Sequence, residues 1–300
     1  MRSWVFLLLF TAASLAGCAR CGGCGGVPAR DGAFPYRACL LEKGEEPRSV
    51  PLEGEGGGTL EVEEREARFA KSPLRIAAFR GAAGANLGEI AASIREERVD
   101  LLVLIGSAGR EREAIRAQLE ALLAIGPPLL ILAGGDDSLT ELDRAIGSLG
   151  GDEKARLLDG RRLHLLRAGD ARVALIPGAP EGRFAYDDSA CGYDASDLRA
   201  RLRAADPEPL IIAWSFAGEA LEESAPRGGI FAFPAEAEKK DEEGGEGIFT
   251  VGPIAGDPYF SGTGYRAPAP SLFSLSERGF VFIGEIMPRA DARMVPPAKP

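Results

Sequence analysis

A chain of 300 residues can hold one large domain or two small ones with a sizeable core, and 45% hydrophobic with 27% charged residues excludes a wholly disordered or collagen-like polymer. The net charge of −10, from 35 Lys and Arg against 45 Asp and Glu, repels phosphate backbones, so nucleic acid is not an expected partner. One histidine, His164, excludes sites that need several imidazoles as metal ligands or proton shuttles.

The N-terminus reads as an export signal over residues 1–17: Arg2, an apolar run from Trp4 to Phe10, then the small residues Ala16 and Gly17. The apolar stretch up to Ala16 is shorter than the roughly 20 residues a spanning helix needs. Leu15-Ala16-Gly17-Cys18 resembles the lipobox of bacterial lipoproteins. That resemblance implies cleavage before Cys18, a diacylglycerol on its thiol and an acylated amine. Ala19 in place of Asp implies the outer membrane of a Gram-negative bacterium, with the domain in the periplasm or at the cell surface.

Residues 18–35 form a Gly-rich tether. Cys21, Cys24, Cys39 and Cys191 are an even set in an exported chain, which allows disulfides in three connectivities. Cys21 and Cys24 have the spacing of a redox pair or half a zinc site, but they lie in the tether with no helix following. Residues 36–72 read as an acidic extension. Nine glutamates fall between Glu42 and Glu66, around Gly54 and Gly56 to Gly58, and Thr59 to Phe69 is expected as an edge strand.

The main domain is expected over 73–287. Leu74 to Phe79 is a buried strand, and Asn86 with Glu89 can cap a helix carrying Leu87, Ile90 and Ile94 on one face. Leu101 to Ile105 is too continuously apolar for a half-exposed strand and implies a parallel sheet covered on both sides. Ile115, Leu119, Leu122 and Leu123 mark a second helix, Leu129 to Leu132 a third strand, and Ser138 with Glu141 caps a third helix. The expected class is therefore α/β, a layered sandwich whose N-terminal half is a parallel β-α-β-α-β run. The loops at Arg80, Gly106 and Gly134 would share the edge at the strand C-termini, where ligands gather.

Beyond Asp152 the chain becomes strand-rich, with runs at 162–166, 173–176, 210–214, 248–251, 271–275 and 280–283 and a helix from Ser196 to Ala204. The last two strands read as a hairpin, and the charged run from Glu236 to Gly247 as an exposed loop. Residues 288–300, with four prolines, form a tail.

The order of strands, helices and glycines from Leu74 to Ser138 resembles the calcineurin-like metallophosphoesterases. In that family Asp-x-His, Gly-Asp and Gly-Asn-His-Asp segments, with later histidines, hold two cations that activate water. The resemblance places Gly81 where the family has its first Asp and Ala83 where it has His, with Gly84 and Asn86 keeping the pattern. The Gly-Asp segment becomes Gly106-Ser107, and the third becomes Gly134-Gly135-Asp136-Asp137, so that Gly135 and Asp136 replace Asn and His. Trp214 or Ser215 stands where a later His is expected.

The expectation is a fold kept without its metal site, serving binding or scaffolding. No cofactor is expected; Asn86, Asp136 and Asp137 are the residual candidates for a divalent metal. His164 reads as a strand residue, and Trp214, Phe216, Phe231 and Phe233 as strand ends or the lining of an apolar pocket. Expected partners are the membrane, through the lipid on Cys18, and an envelope protein. Two alternatives are a divalent-metal phosphoesterase with a carboxylate-based site, and an envelope interaction module of unrelated α/β fold.

Overall fold

The computed structural model describes residues 26–27, 36–39, 41, 43–52, 58–81, 87–180, 191–204, 211–216, 229–233, 248–251, 259–260, 265–266, 269–276 and 279–287. Cys18, Cys21, Cys24, Ala83, Gly84 and Asn86 lie outside these residues, as do the export signal and the tail.

Strands β1 (Gly26–Val27), β2 (Tyr36–Ala38), β3 (Arg48–Pro51), β4 (Thr59–Glu63) and β5 (Glu66–Phe69) come first. Then β6 (Leu74–Phe79), α1 (Gly88–Glu96), β7 (Leu101–Ile105), α2 (Arg112–Leu123), β8 (Leu129–Leu132), α3 (Leu139–Gly147), α4 (Gly151–Arg156) and β9 (Leu157–Asp159) alternate. The remainder holds β10 (Leu165–Ala168), β11 (Ala171–Ile176), β12 (Ala179–Pro180), β13 (Cys191–Tyr193), α5 (Ala195–Ala204), β14 (Ile211–Phe216), β15 (Gly229–Phe233) and β16 (Ile248–Thr250). Four short or hairpin strands close the chain: β17 (Tyr259–Phe260), β18 (Tyr265–Arg266), β19 (Ser271–Ser276) and β20 (Gly279–Glu285).

Two sheets dominate, a six-stranded one in the order β20-β19-β6-β7-β8-β9 and an eight-stranded one in the order β16-β15-β14-β11-β10-β5-β4-β3. Strands β6 to β9 are parallel, and the C-terminal hairpin β19-β20 adds to β6 antiparallel. Leu74, Ile76, Leu101, Val103 and Ile105 face the eight-stranded sheet, where they meet residues such as Leu60, Phe69 and Val173. Phe79, Leu102, Leu104 and Ile131 face the other way and are covered by Ile90, Ile94, Ile115 and Leu142 of the helices. This explains the unbroken apolar run of β7: each face of that strand is a core face, and each fully buried Leu or Ile contributes about 1.5–3 kcal/mol. The molecule is a layered α/β sandwich.

The expected single edge strand at 59–69 is instead a hairpin inside the eight-stranded sheet. It turns at Glu64, whose φ is 45°, and the edge belongs to β3. Glutamates alternate there with Leu60, Val62 and Ala67, so one face of a charged segment still enters the common core. Two capping expectations also differ. Helix α1 begins after Leu87 rather than at Asn86, and Ser138 is the N-cap residue of α3 but makes no side-chain cap bond. Strand β10 begins at Leu165 rather than at 162, because the 162 and 163 amides turn back onto the Asp159 carbonyl.

Candidate functional site

The loops after β6, β7 and β8 meet at the C-terminal edge of the parallel strands. The Gly81 amide donates to the Gly106 carbonyl at 3.2 Å, and the Gly106 amide to the Leu132 carbonyl at 2.7 Å. Gly106 and Ser107 both lie in the left-handed region, at φ 65° and 54°, a conformation that is strained for serine. This turn brings the Ser107 carbonyl so close to Gly81 that a Cβ there would sit 2.1 Å from its oxygen. No side chain fits at Gly81 without moving the backbone.

The carboxylates of the third loop serve as ties. Asp137, 1% exposed, accepts from the Gly109 amide at 2.9 Å through Oδ1 and from the Gly134 amide at 2.7 Å through Oδ2. Burial, and secondarily the charge of Asp136, push its carboxyl up to about 7 against the pull of those amides. Asp136, half-buried, accepts from the Ser107 hydroxyl at 3.3 Å. A Cβ at Gly134 would lie 2.7 Å from Asp136 Oδ1 and 2.9 Å from the Gly106 Cα, so this corner is closed by backbone on backbone.

The structure thus brings Gly81, Ser107, Gly135, Asp136 and Asp137 to one edge. Trp214 and Ser215 lie on β14 in the other sheet, where the Trp214 backbone pairs with Ile176 and Phe231. Among the described residues, no three His, Cys, Asp or Glu side chains come together as a metal ligand set would.

His164 sits apart from this edge, just before β10. Its amide donates to the Arg65 carbonyl at 2.7 Å, and burial, then Arg201 and Arg65, lower its ring to about 3, so it is neutral at physiological pH. Cys39, fully buried, is disulfide-bonded, and β2, which leads into it, pairs with β13, the strand carrying Cys191.

The sequence reading passed over Gln118, whose residue is 6% exposed and whose amide oxygen and nitrogen are both buried without a partner. It lies beneath the first loop, since a Cβ at Gly81 would meet its Nε2 at 2.7 Å. A signal existed, because Gln118 interrupts the apolar stripe of Ile115, Leu119 and Leu122. The reading also missed a buried ion pair, Asp159 with Arg161, for which no short motif exists. Arg161 donates from Nη2 to Asp159 Oδ2 and to Asp143 Oδ1, each at 2.7 Å. Burial pushes the Asp159 carboxyl up, but the charge of Arg161, the hydrogen bonds from its side chain and amide, and the charge of Arg162 together outweigh it and hold the group below its ordinary value.

No family model matches this chain, and no curated protein matches it. Solved structures similar to it include a crystal structure 14% identical, covering 71% of this chain and 99% of that one with a TM-score of 0.46. Another is TT1561 of Thermus thermophilus, 14% identical, covering 54% of this chain and 82% of that one with a TM-score of 0.37.

Proposed function

We propose that this is a lipid-anchored envelope protein whose metallophosphoesterase-like domain acts by binding or scaffolding and does not hydrolyse phosphate esters. The observation that carries the reading is the closure of the edge where such a family would hold its cations. Gly81 stands where a first carboxylate is required, and a Cβ there would lie 2.1 Å from the Ser107 oxygen. The two remaining carboxylates do not make good the loss. Asp137 has both oxygens committed to the Gly109 and Gly134 amides, and Asp136 accepts from Ser107. A two-cation site needs several oxygen and nitrogen donors facing one open position, and these residues do not fit it.

The lipid on Cys18 and the outer-membrane address rest on the Leu15-Ala16-Gly17-Cys18 segment and Ala19. Two or more buried acyl chains make a stable anchor, since each buried CH₂ contributes about 0.8 kcal/mol. Among the described residues no helix is long and apolar enough to cross a membrane.

The test is metal content, by mass spectrometry on the full chain in detergent, after incubation with Mn²⁺, Fe²⁺ and Zn²⁺ and removal of excess. The expected outcome is retention no higher than that of a metal-free control protein. A stoichiometric pair of retained ions, with phosphoesterase turnover lost in Asp136→Asn/Asp137→Asn, would overturn the reading in favour of a carboxylate-based enzyme.

A further inference from the structure

A cavity of about 500 Å³ opens beside β3 and β9, bounded by residues 43–48, the end of α3, and α4. This is the size of small-molecule pockets, and none of the lining residues belongs to the three loops described above.

Its wall is set by charge. Glu45 accepts from Arg48 Nη1 at 3.1 Å and from the Asp159 amide at 3.0 Å. Arg48 donates onward to the Ala155 and Leu157 carbonyls, at 2.9 and 2.6 Å, and Arg161 links Asp159 to Asp143 on α3. These bonds hold the turn, the edge strand and both helices in place before a ligand arrives, which lowers the ordering cost of binding.

They also engage Glu45, Asp143 and Asp159, leaving Lys43 and Lys154 over against one further carboxylate, that of the exposed Glu46. Five cationic side chains line the cavity against four carboxylates, a local positive excess on a chain of net charge −10. Lys43 and Lys154 are exposed at the cavity, and neither has an ion-pair partner among the described residues.

The space is also kept open. Gly147, the last residue of α3, and Gly151, the first of α4, line the cavity, and a Cβ on either would meet nothing within 4 Å. Helix stability favours Ala over Gly by up to about 1 kcal/mol, so local structure does not call for glycine at either position.

We propose that this cavity binds a small phosphorylated molecule. Its dianionic phosphate lies between the Lys43 and Lys154 ammonium groups, and its organic part lies against Ile146 and Ala155, which are half-buried and line the same cavity. A dianion takes both ammonium charges at once, and the volume exceeds what a bare oxyanion would fill.

Calorimetric titration of the full chain in detergent tests this, with ribose 5-phosphate, ribose, inorganic phosphate and citrate as probes. Saturable, single-site binding of ribose 5-phosphate is expected, with none for ribose. Lys43→Gln/Lys154→Gln should weaken it by about tenfold or more. Gly147→Glu, which puts a carboxylate into open space without backbone strain, should abolish binding at an unchanged unfolding midpoint. The proposal fails if the wild-type chain shows no saturable binding, or if the double variant or a folded Gly147→Glu binds as the wild type does. Citrate binding as tightly would overturn the assignment to phosphate, and inorganic phosphate binding as tightly would overturn the role given to the organic part.

Discussion

Ser107 holds a left-handed conformation with its carbonyl against Gly81, and the consequence falls on that neighbour: Gly81 has no volume for even a methyl group. Gly81→Ala should therefore cost about 1–3 kcal/mol, the usual penalty of overpacking, read as a lower midpoint in urea unfolding. An unchanged midpoint would mean that the loop is not closed in this way. Two other residues give stability opposing dependences on pH. Asp137 rises from 3.8 to about 7 on folding, so across that window the folded chain holds a proton that the unfolded chain releases, and stability falls as pH rises. His164 drops from 6.5 to about 3, so the unfolded chain takes up a proton that the folded chain excludes, and stability rises with pH across that window. The two should partly cancel between about pH 4 and 6.5. Asp137→Asn should leave a stability that climbs with pH there, and His164→Gln one that falls. Denaturant unfolding of both variants across that range checks the signs, and two profiles parallel to the wild type would refute both assignments.

At the level of elements, the C-terminal hairpin completes the sandwich. Strand β19 pairs with β6, and Phe273 from it enters the core between the sheets, with edge-on contacts to Phe280 at 5.9 Å and Phe282 at 5.6 Å between ring centres. Phe273→Ala should cost about 3–5 kcal/mol, measured by calorimetric or denaturant unfolding, because the cavity left between two sheets cannot collapse easily. A loss below about 1 kcal/mol would show that the hairpin is peripheral to the core. The region from residue 48 to 69 makes the same point. Its glutamates give it the composition of a solvated loop, yet alternate residues of β4 and β5 are core positions, and β5 pairs with β10 in parallel. A charged strand enters a sheet when only one of its faces must be dry.

At the scale of the whole molecule, the closed C-terminal edge of the parallel strands is the feature on which the proposed binding role rests, and the lipid anchor proposed at Cys18 is tested separately. Cys18→Ser should abolish incorporation of labelled fatty acid into the chain in a host that processes bacterial lipoproteins, because the thiol is the acceptor of the proposed diacylglycerol. Absence of label in the wild-type chain, or undiminished label in the variant, would sink the lipid-anchor proposal. The buried Asp159–Arg161 pair is weak evidence for stability, since desolvation offsets much of its attraction. Its clearer effect is geometric, because it joins β9 to α3 through Asp143.

Local chemistry determined much of this. Runs such as Leu101 to Ile105 announce a strand buried on both faces, and the spacing of Ile115, Leu119 and Leu122 a helix lying over it, because burial of apolar side chains at periods of 2 and 3.6 residues is a local property. The alternation from β6 to β8 made the parallel half legible for the same reason. What only the tertiary structure decided are the relations between segments distant along the chain. That β5 joins β10, that the Ser107 carbonyl occupies the space beside Gly81, and that Glu45 accepts from the Asp159 amide at 3.0 Å depend on loops closing on one another. Neither the closure of the three-loop edge nor the charged cavity beside β9 follows from any periodicity, since each is made by contacts whose partners are set by packing rather than by spacing.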